Sequence, residues 1–318
     1  MAHSPTTQLT AVEMPADFDV ARLNYKATRH VKERIIEFVL FVAAFSAVAT
    51  TVAIVYILFS ESLGFFEHVS LKEFLTDTMW TPLFAEPRYG ILPLVSATLT
   101  VAGVALAIAI PMGTIVAIYL SEFAPHRVRE IVKPFLEMLE AVPTVVFGYF
   151  ALLFVTPLLQ KIIPDLPGFN MLSAGLVIGV FILPYISSVA EDAMRAVPMA
   201  MREGSYAMGA TRFQTAVRVV TPAALSGIVA AYILAISRAV GETMVVAIAA
   251  GLQPNFTFNP TEQGATITAY IVQVALGDLP HGSIGYQSIF AAGLTLVVMT
   301  LGFNVVGHLL RKRFREAY

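Results

Sequence analysis

Residues 191–251 read EDAMRAVPMAMREGSYAMGATRFQTAVRVVTPAALSGIVAAYILAISRAVGETMVVAIAAG. The first part, 191–222, is polar and carries four arginines. The second part, 223–251, is predominantly apolar and contains charged residues only at Arg238 and Glu242. It is long enough to cross a bilayer, which takes about 20 apolar residues. The stretch therefore predicts a polar loop followed by a membrane helix that holds two ionisable side chains.

The composition of the whole chain is that of a membrane protein. Of its 318 residues, 57% are hydrophobic and 13% are charged, whereas soluble domains contain roughly 45–50% apolar and about 25% charged residues. The net charge of −2 gives no electrostatic case for binding nucleic acid. Cysteine is absent, which excludes disulfides and thiolate metal sites, and the six histidines are scattered without a metal-binding spacing.

Six apolar stretches predict an all-α membrane protein with six transmembrane helices. They cover about 35–59, 91–120, 135–159, 171–190, 223–251 and 286–310. The domain prediction is a tail at 1–34, a transmembrane domain at 35–310 that contains the loop 191–222, and a tail at 311–318. Prolines within these stretches predict kinked or interrupted helices. They are Pro93, Pro111, Pro143, Pro157 and Pro184.

The distribution of positive charge predicts the orientation. One alternating set of segments, which includes both tails and the loop 191–222, carries sixteen of the 20 Lys and Arg residues. The opposite set carries three, and Arg238 lies within a span. Because Lys and Arg accumulate in cytoplasmic loops, we expect both termini and the loop 191–222 to be cytoplasmic.

Arg238 and Glu242 are the principal candidates for a functional site. On one continuous helix, residues four apart project from nearly the same face. An arginine at the centre of a membrane helix costs about 2.5–3.5 kcal/mol. One interpretation is that an oxyanion passes this point during transport and is bound there by the planar donor fork of the guanidinium. The other is an intrahelical salt bridge that only lets the helix insert. Glu137 and Glu140 are interpreted as interfacial or helix-contact carboxylates, with a proton relay as the alternative.

The loop 191–222 is the second candidate. Residues 195–208 are compatible with a helix that Gly209 terminates. Its apolar side chains suit either contact with a partner protein or an amphipathic helix on the membrane surface. The sequence has no G-x-x-x-x-G-K-[ST] loop, no H-E-x-x-H and no G-x-S-x-G. Any ATPase that drives this chain must therefore be a separate polypeptide.

Two motifs carry a resemblance to a known family. EGSYAMG at 203–209, followed by Pro222, resembles the EAA loop of ABC importer permeases; Glu203, Gly209 and Pro222 match in register, while Gly204 and Ser205 replace two alanines. RAVGETM at 238–244 and VPTVVFG at 142–148 resemble the PstC family of phosphate permease subunits. The resemblance covers roughly residues 35–310.

The resemblance implies the type I ABC importer permease fold in a bacterial inner (plasma) membrane. It implies a second, PstA-like permease subunit, two PstB-like ATPase subunits and a PstS-like phosphate-binding protein, in contact with membrane lipid and without nucleic acid. It assigns Arg238 and Glu242 to the phosphate pathway. It assigns an ATPase-coupling role to Arg195, Glu203, Gly204, Ser205, Gly209 and Pro222. The chain itself would bind no cofactor and catalyse nothing, with ATP and Mg on the ATPase subunits.

Three alternatives to a phosphate permease stay open. A permease of the same architecture for molybdate or sulfate would also use Arg238. A secondary transporter working alone is disfavoured by the six-span length and by the motif in the cytoplasmic loop. An intramembrane enzyme using Glu137 or Glu140 would lack an accompanying nucleophile or metal-ligand set.

Overall fold

The computed structural model describes residues 25–82, 84, 86–277, 279–280 and 282–313, with side chains described from residue 33 onward. These residues form fourteen α-helices. The helices are α1 Tyr25–Phe66, α2 Leu71–Thr76, α3 Leu92–Ile118, α4 His126–Glu140, α5 Thr144–Phe150, α6 Thr156–Gln160, α7 Met171–Arg195, α8 Met199–Ala207, α9 Arg212–Thr215, α10 Thr221–Ala223, α11 Leu225–Val240, α12 Met244–Ala249, α13 Ile267–Ala275 and α14 Ile284–Arg313.

Within this described part of the chain, four helices are long and apolar enough to cross a membrane. Two bent helix pairs, 126–160 with a bend of 88° and 212–240 with a bend of 72°, raise the number of possible spans to six. Six is the number that the sequence predicts. The chain divides at Ile57 and Leu58 into two compact units. The first unit contains α1 up to Ile57, whose described side chains are exposed along their whole length.

Three short π-helical turns share one relation to proline. They span Tyr119–Phe123, Ala151–Val155 and Ala216–Val220. Each is followed by one residue and then by a proline, at Pro125, Pro157 and Pro222 respectively. Proline has no N–H to donate to the carbonyl four residues back, and its ring clashes with that carbonyl. At Pro157 and Pro222 the wider π-turn therefore accommodates the proline and the helix continues. At Pro125 the helix ends instead, because the backbone of Ala124 and Pro125 is extended.

The residue before two of these prolines is a threonine that reinforces the turn. The Thr156 hydroxyl donates to the carbonyl of Ala151 at 3.0 Å, and the Thr221 hydroxyl donates to that of Ala216 at 2.8 Å. In both cases the backbone N–H of the threonine bonds the same carbonyl. In the low dielectric of a membrane protein such doubled bonds matter because unsatisfied backbone groups are costly.

The core is centred on the contact between α3 and α7, which glycines bring close together. A Cβ added at Gly175 would lie 2.7 Å from Val104, and one added at Gly179 would lie 2.8 Å from the carbonyl oxygen of Ala105. Small residues at membrane helix contacts let backbones approach closely and gain van der Waals packing. The close packing of α3 on α7 forms the centre of the core, to which the functional elements attach.

The predicted span 223–251 differs from the observed structure. The chain bends at Ala224, between α10 and α11, and breaks again at 241–243, between α11 and α12. The predicted helix over 195–208 also consists of two pieces, because α7 ends at Arg195 and α8 begins only at Met199. Pro198 precedes α8, and a proline disfavours helical geometry in the residue before it.

Candidate functional site

Arg238 lies in the last turn of α11, next to the break in the helix. Its guanidinium carbon lies 5.3 Å from the ring centre of Tyr185 and 5.6 Å from that of Phe181, both on α7. A guanidinium at this distance from an aromatic face is attracted by the ring quadrupole. A cation at a helix C-terminus is also favoured by the helix dipole. Arg238 is nevertheless exposed on this chain, so its donors remain accessible.

Glu242 has a different environment from the one that the sequence predicts. Gly241 ends α11, and Glu242 lies just before α12 with 6% of its surface exposed. Its Oε1 accepts the backbone N–H groups of Met244 and Val245 at 3.2 and 3.3 Å. Its carbonyl accepts the hydroxyl of Thr268, on α13, at 2.6 Å. The carboxylate therefore satisfies donors at the start of α12, as capping side chains do.

The ion pair between Arg238 and Glu242 is absent from the described residues. No carboxylate lies within the 4.0 Å limit of an ion pair to Arg238 there. The intrahelical salt bridge required a continuous helix, and the break at 241–243 removes that geometry. At longer range, Glu140 at the end of α4 interacts electrostatically with both Arg238 and Glu137. The assignment of Arg238 and Glu242 to a substrate pathway stays a prediction.

The helix α8 within the loop 191–222 ends in a complete C-terminal cap. Gly209 has φ +82°, and its N–H bonds the carbonyl of Tyr206 at 2.9 Å. The N–H of Ala210 bonds the carbonyl of Ser205 at 3.2 Å. These two bonds define a Schellman motif, which uses glycine because a side chain is strained at positive φ. Gly209 thus terminates the helix as the sequence predicts.

Two side-chain contacts attach α8 to the rest of the protein. Arg202 is buried and pairs with Glu122, with Nη2–Oε1 at 2.9 Å and Nε–Oε2 at 3.3 Å. Its remaining donors reach the carbonyls of Val197 at 2.6 Å and Met194 at 2.8 Å. The hydroxyl of Ser205 lies 2.8 Å from that of buried Thr215. The serine that replaces an alanine of the motif therefore forms a tertiary contact.

The other predicted coupling residues lie on or near α8, and each has a different structural environment. Glu203 and Gly204 are exposed on α8, and a Cβ at Gly204 would meet no atom within 4 Å. Arg195 ends α7 and lies 3.7 Å from Glu191. Pro222 lies in α10, beside the bend at Ala224. The structure thus gathers these residues at one end of the helices while leaving their role in coupling a prediction.

Sequence analysis missed two carboxylates at this end of the molecule. Glu122 is the partner of Arg202. Glu191 is 1% exposed, accepts Lys133 Nζ at 2.8 Å, and so joins α7 to α4. Both lie at the end of an apolar span, Glu191 with Asp192 directly after it, and a buried carboxylate requires a cation nearby. That position was the available signal for both.

Comparison with known proteins decides the family. The model of the family described as "Binding-protein-dependent transport system inner membrane component" matches residues 109–316. The chain belongs to this family. It is a multi-pass transport subunit of the inner membrane, and the predicted location and the prediction of a transport subunit rather than an enzyme are confirmed.

Curated relatives of this permease match most of its length. A protein of Bacillus subtilis named "Probable ABC transporter permease protein YqgH" is 34% identical over 84% of this chain and 86% of its own. The phosphate transport system permease protein PstC of Haemophilus influenzae is 29% identical over 86% of this chain and 92% of its own. PstC 1 of Mycobacterium tuberculosis is 33% identical over 75% of this chain and 76% of its own. The predicted resemblance to the PstC family is confirmed.

Solved structures confirm the ABC importer permease fold. A chain of a bacterial transporter that imports the acidic polysaccharide alginate superposes with a TM-score of 0.63 at 17% identity, covering 91% of this permease and 100% of that chain. A chain of the inward-facing MetNI methionine ABC transporter superposes with a TM-score of 0.52 at 18% identity, covering 71% and 95%. At these identities the likeness concerns the fold alone.

Proposed function

We propose that this permease is the membrane-spanning translocation subunit of an ATP-driven importer of inorganic phosphate, and that it forms the phosphate pathway with a second, PstA-like permease subunit. The observation that carries the proposal is the environment of the Arg238 guanidinium. It lies beside a helix break, against two aromatic rings, and has no carboxylate within ion-pairing distance among the described residues. Relatives named as phosphate transport permeases support phosphate as the anion.

The chemistry of Arg238 suits a phosphate step. Guanidinium is planar, always charged, and offers parallel N–H donors that match the oxygens of phosphate. An unneutralised arginine in a membrane span is costly, and such residues mark ion pathways. The rings of Tyr185 and Phe181 offset part of this cost without occupying the N–H donors in hydrogen bonds. Arg238 thereby stays available for an oxyanion.

Transport by this mechanism requires partner subunits. Two PstB-like ATPases drive transport, one of them docks at α8, and ATP with Mg is bound by those subunits. A PstS-like protein delivers phosphate from outside. ATP binding draws the ATPases together and moves α8, and the contact of Arg202 with Glu122 passes that movement to the end of α3. Because α3 packs on α7, which carries the two aromatic rings next to Arg238, the movement also reaches the phosphate pathway beside Arg238.

The experiment that tests this proposal is uptake of labelled phosphate in cells that express the permease with its neighbouring transport genes. Arg238→Gln, at matched membrane abundance, should abolish uptake, while unlabelled phosphate but not sulfate or molybdate should compete in the wild type. Retained uptake in the variant would remove Arg238 from the pathway. Competition by sulfate or molybdate would reassign the substrate and leave the importer class intact.

A further inference from the structure

A cavity at the end of the molecule that contains α8 is unusually rich in arginine. Its volume is about 340 Å³, and its lining includes Arg129 on α4, Arg195 at the end of α7, Arg202 on α8 and Arg212 on α9. Glu122 is the one carboxylate in that lining. Four guanidinium groups from four helices therefore surround a small open space. Such an arrangement concentrates positive potential and attracts a negatively charged group.

Only one of these arginines is neutralised within the cavity. Arg202 forms its two-bonded ion pair with Glu122 and donates to two carbonyls, so its donors are used. Arg129 and Arg195 approach Oε1 of Glu191 only to 4.0 and 3.7 Å, which is too long for hydrogen bonds. The other oxygen of Glu191 accepts Lys133 at 2.8 Å. Oε1 of Glu191 is left without a hydrogen-bond partner among the described residues.

Arg212 is the least neutralised of the four. It is exposed, and it forms no ion pair or side-chain hydrogen bond with any residue that the structure describes. The cavity and the groups ion-paired to it hold five cations and three carboxylates, an excess of two positive charges. The cations are Arg129, Lys133, Arg195, Arg202 and Arg212, and the carboxylates are Glu122, Glu191 and Asp192.

The rim of the cavity is apolar and continuous with the outer surface of α8. Met199 and Tyr206 line the cavity, and they are 62% and 39% exposed. Met208, at the end of the same helix, is 89% exposed. Arginine, methionine and tyrosine are the residue types enriched in protein interfaces. A site for a free small anion has no use for exposed methionines, whereas a docking surface does.

We propose that this cavity, lined by Arg129, Arg195 and Arg212 around the fixed pair of Arg202 and Glu122, receives an acidic side chain of the ATPase subunit when that subunit docks on α8. The carboxylate binds Arg212 and Arg195, and the apolar rim packs against the surrounding surface of the ATPase. This inference rests on the proposed function only in requiring an ATPase partner, and it does not depend on phosphate as the substrate.

Charge reversal in the complete complex tests the proposal. The permease is expressed with its second permease subunit and ATPase, the complex is purified through a tag on the permease, and ATPase retention is measured as ionic strength rises. Arg212→Glu should weaken ATPase association by about tenfold, as expected for a close interfacial charge pair. Arg195→Glu is the second variant. Arg212→Glu should fold normally, because Arg212 has no described ion-pair partner and an acidic residue is favoured at the first position of α9.

The matched control is Arg127→Glu, which makes the same change two residues from Arg129 at an exposed position outside the cavity. It should retain the ATPase as the wild type does. Acidic residues of the ATPase are then changed to lysine one at a time in the Arg212→Glu background. Restored association at one position identifies the occupant of the cavity.

Three outcomes would overturn the proposal. The first is ATPase retention unchanged at every ionic strength in both Arg212→Glu and Arg195→Glu. The second is the same loss in Arg127→Glu, which would indicate a general charge effect. The third is binding of inorganic phosphate to the purified complex that Arg212→Glu abolishes while ATPase retention is unchanged, which would make the cavity a free-anion site. Failure of the wild-type complex to import phosphate removes the proposed substrate but leaves the charge-reversal result intact.

Discussion

Glu122 and Arg202, eighty residues apart in the chain, form an ion pair at 2.9 Å with side chains that are only 6% and 10% exposed. Glu122 belongs to the π-turn that extends α3, and Arg202 lies in the middle of α8. The pair therefore fixes the helix that carries the EAA-like motif to the central helix of the transmembrane core. The contact links α8 directly to the end of α3, beside the bonds of Arg202 to the carbonyls of Val197 and Met194.

Glu122→Gln should destabilise the attachment of α8, because it leaves the charge of Arg202 buried without a counterion. Breaking a buried ion pair by removing one partner costs roughly 3–5 kcal/mol. We expect a lower unfolding temperature and loss of ATP-dependent uptake even where the protein reaches the membrane. Thermal unfolding of the purified complex and uptake at matched abundance measure the two effects.

The control for that variant is Glu130→Gln, which changes an exposed carboxylate whose ion pair among the described residues is with exposed His126. Exposed pairs contribute about 0–1 kcal/mol, so this variant should behave as the wild type does. An unfolding temperature that does not change in Glu122→Gln would show that the ion pair does not hold α8 in place.

The prolines and the polar loop could be interpreted from sequence, but the break beside Arg238 was missed. Hydropathy stays high across 238–251, so it predicts one span there. The local signals were nevertheless present, because Gly241 is a typical residue after a helix end and Glu242 supplies an acceptor at the start of the next helix. Once the helix breaks there, a spacing of four residues no longer places two side chains on one face.

Contacts between elements that are distant in sequence could not be predicted from a single chain. The partner of Arg202 is on the turn after α3, and the rings around Arg238 are on α7. No periodicity within either segment encodes such a pairing. The family resemblance supplied the fold and the position of α8, while the packing of α3, α7 and α8 decides which polar residues meet.

Tyr185→Leu should reduce phosphate uptake because it removes one of the two aromatic rings next to Arg238. A cation–π contact contributes about 0.5–2 kcal/mol, which corresponds to a loss of roughly twofold to thirtyfold. Tyr185→Phe keeps the ring and should retain most of the activity. Uptake kinetics at matched abundance separate the two variants. An equal loss in both would assign the effect to the hydroxyl group and contradict the stacking contribution.

Gly204 and Gly209 should respond in opposite directions to the same substitution. Gly204→Ala meets open space inside α8 and should stabilise that helix by about 0.5–1 kcal/mol, since glycine is a poor helix former. Gly209→Ala also meets open space, but at φ +82° a Cβ costs about 1–2 kcal/mol. Hydrogen exchange of the 199–210 amides measures both. Equal protection in the two variants would mean that α8 does not depend on its C-terminal cap.

Arg238→Gln and Glu242→Gln should act independently on stability. If the two side chains formed a compensating pair, the double variant would insert better than Arg238→Gln alone, since no charge would be left uncompensated. In the structure, the carboxylate of Glu242 instead accepts hydrogen bonds from the N–H groups of Met244 and Val245. Loss of its charge at the start of α12 should cost about 0.3–1 kcal/mol whether or not Arg238 is present. Membrane abundance and unfolding temperature of both single variants and the double variant form the thermodynamic cycle. The effects of side chains that share no partner are expected to add within about 0.5 kcal/mol. A double variant that inserts better than Arg238→Gln would show instead that Glu242 serves to neutralise Arg238.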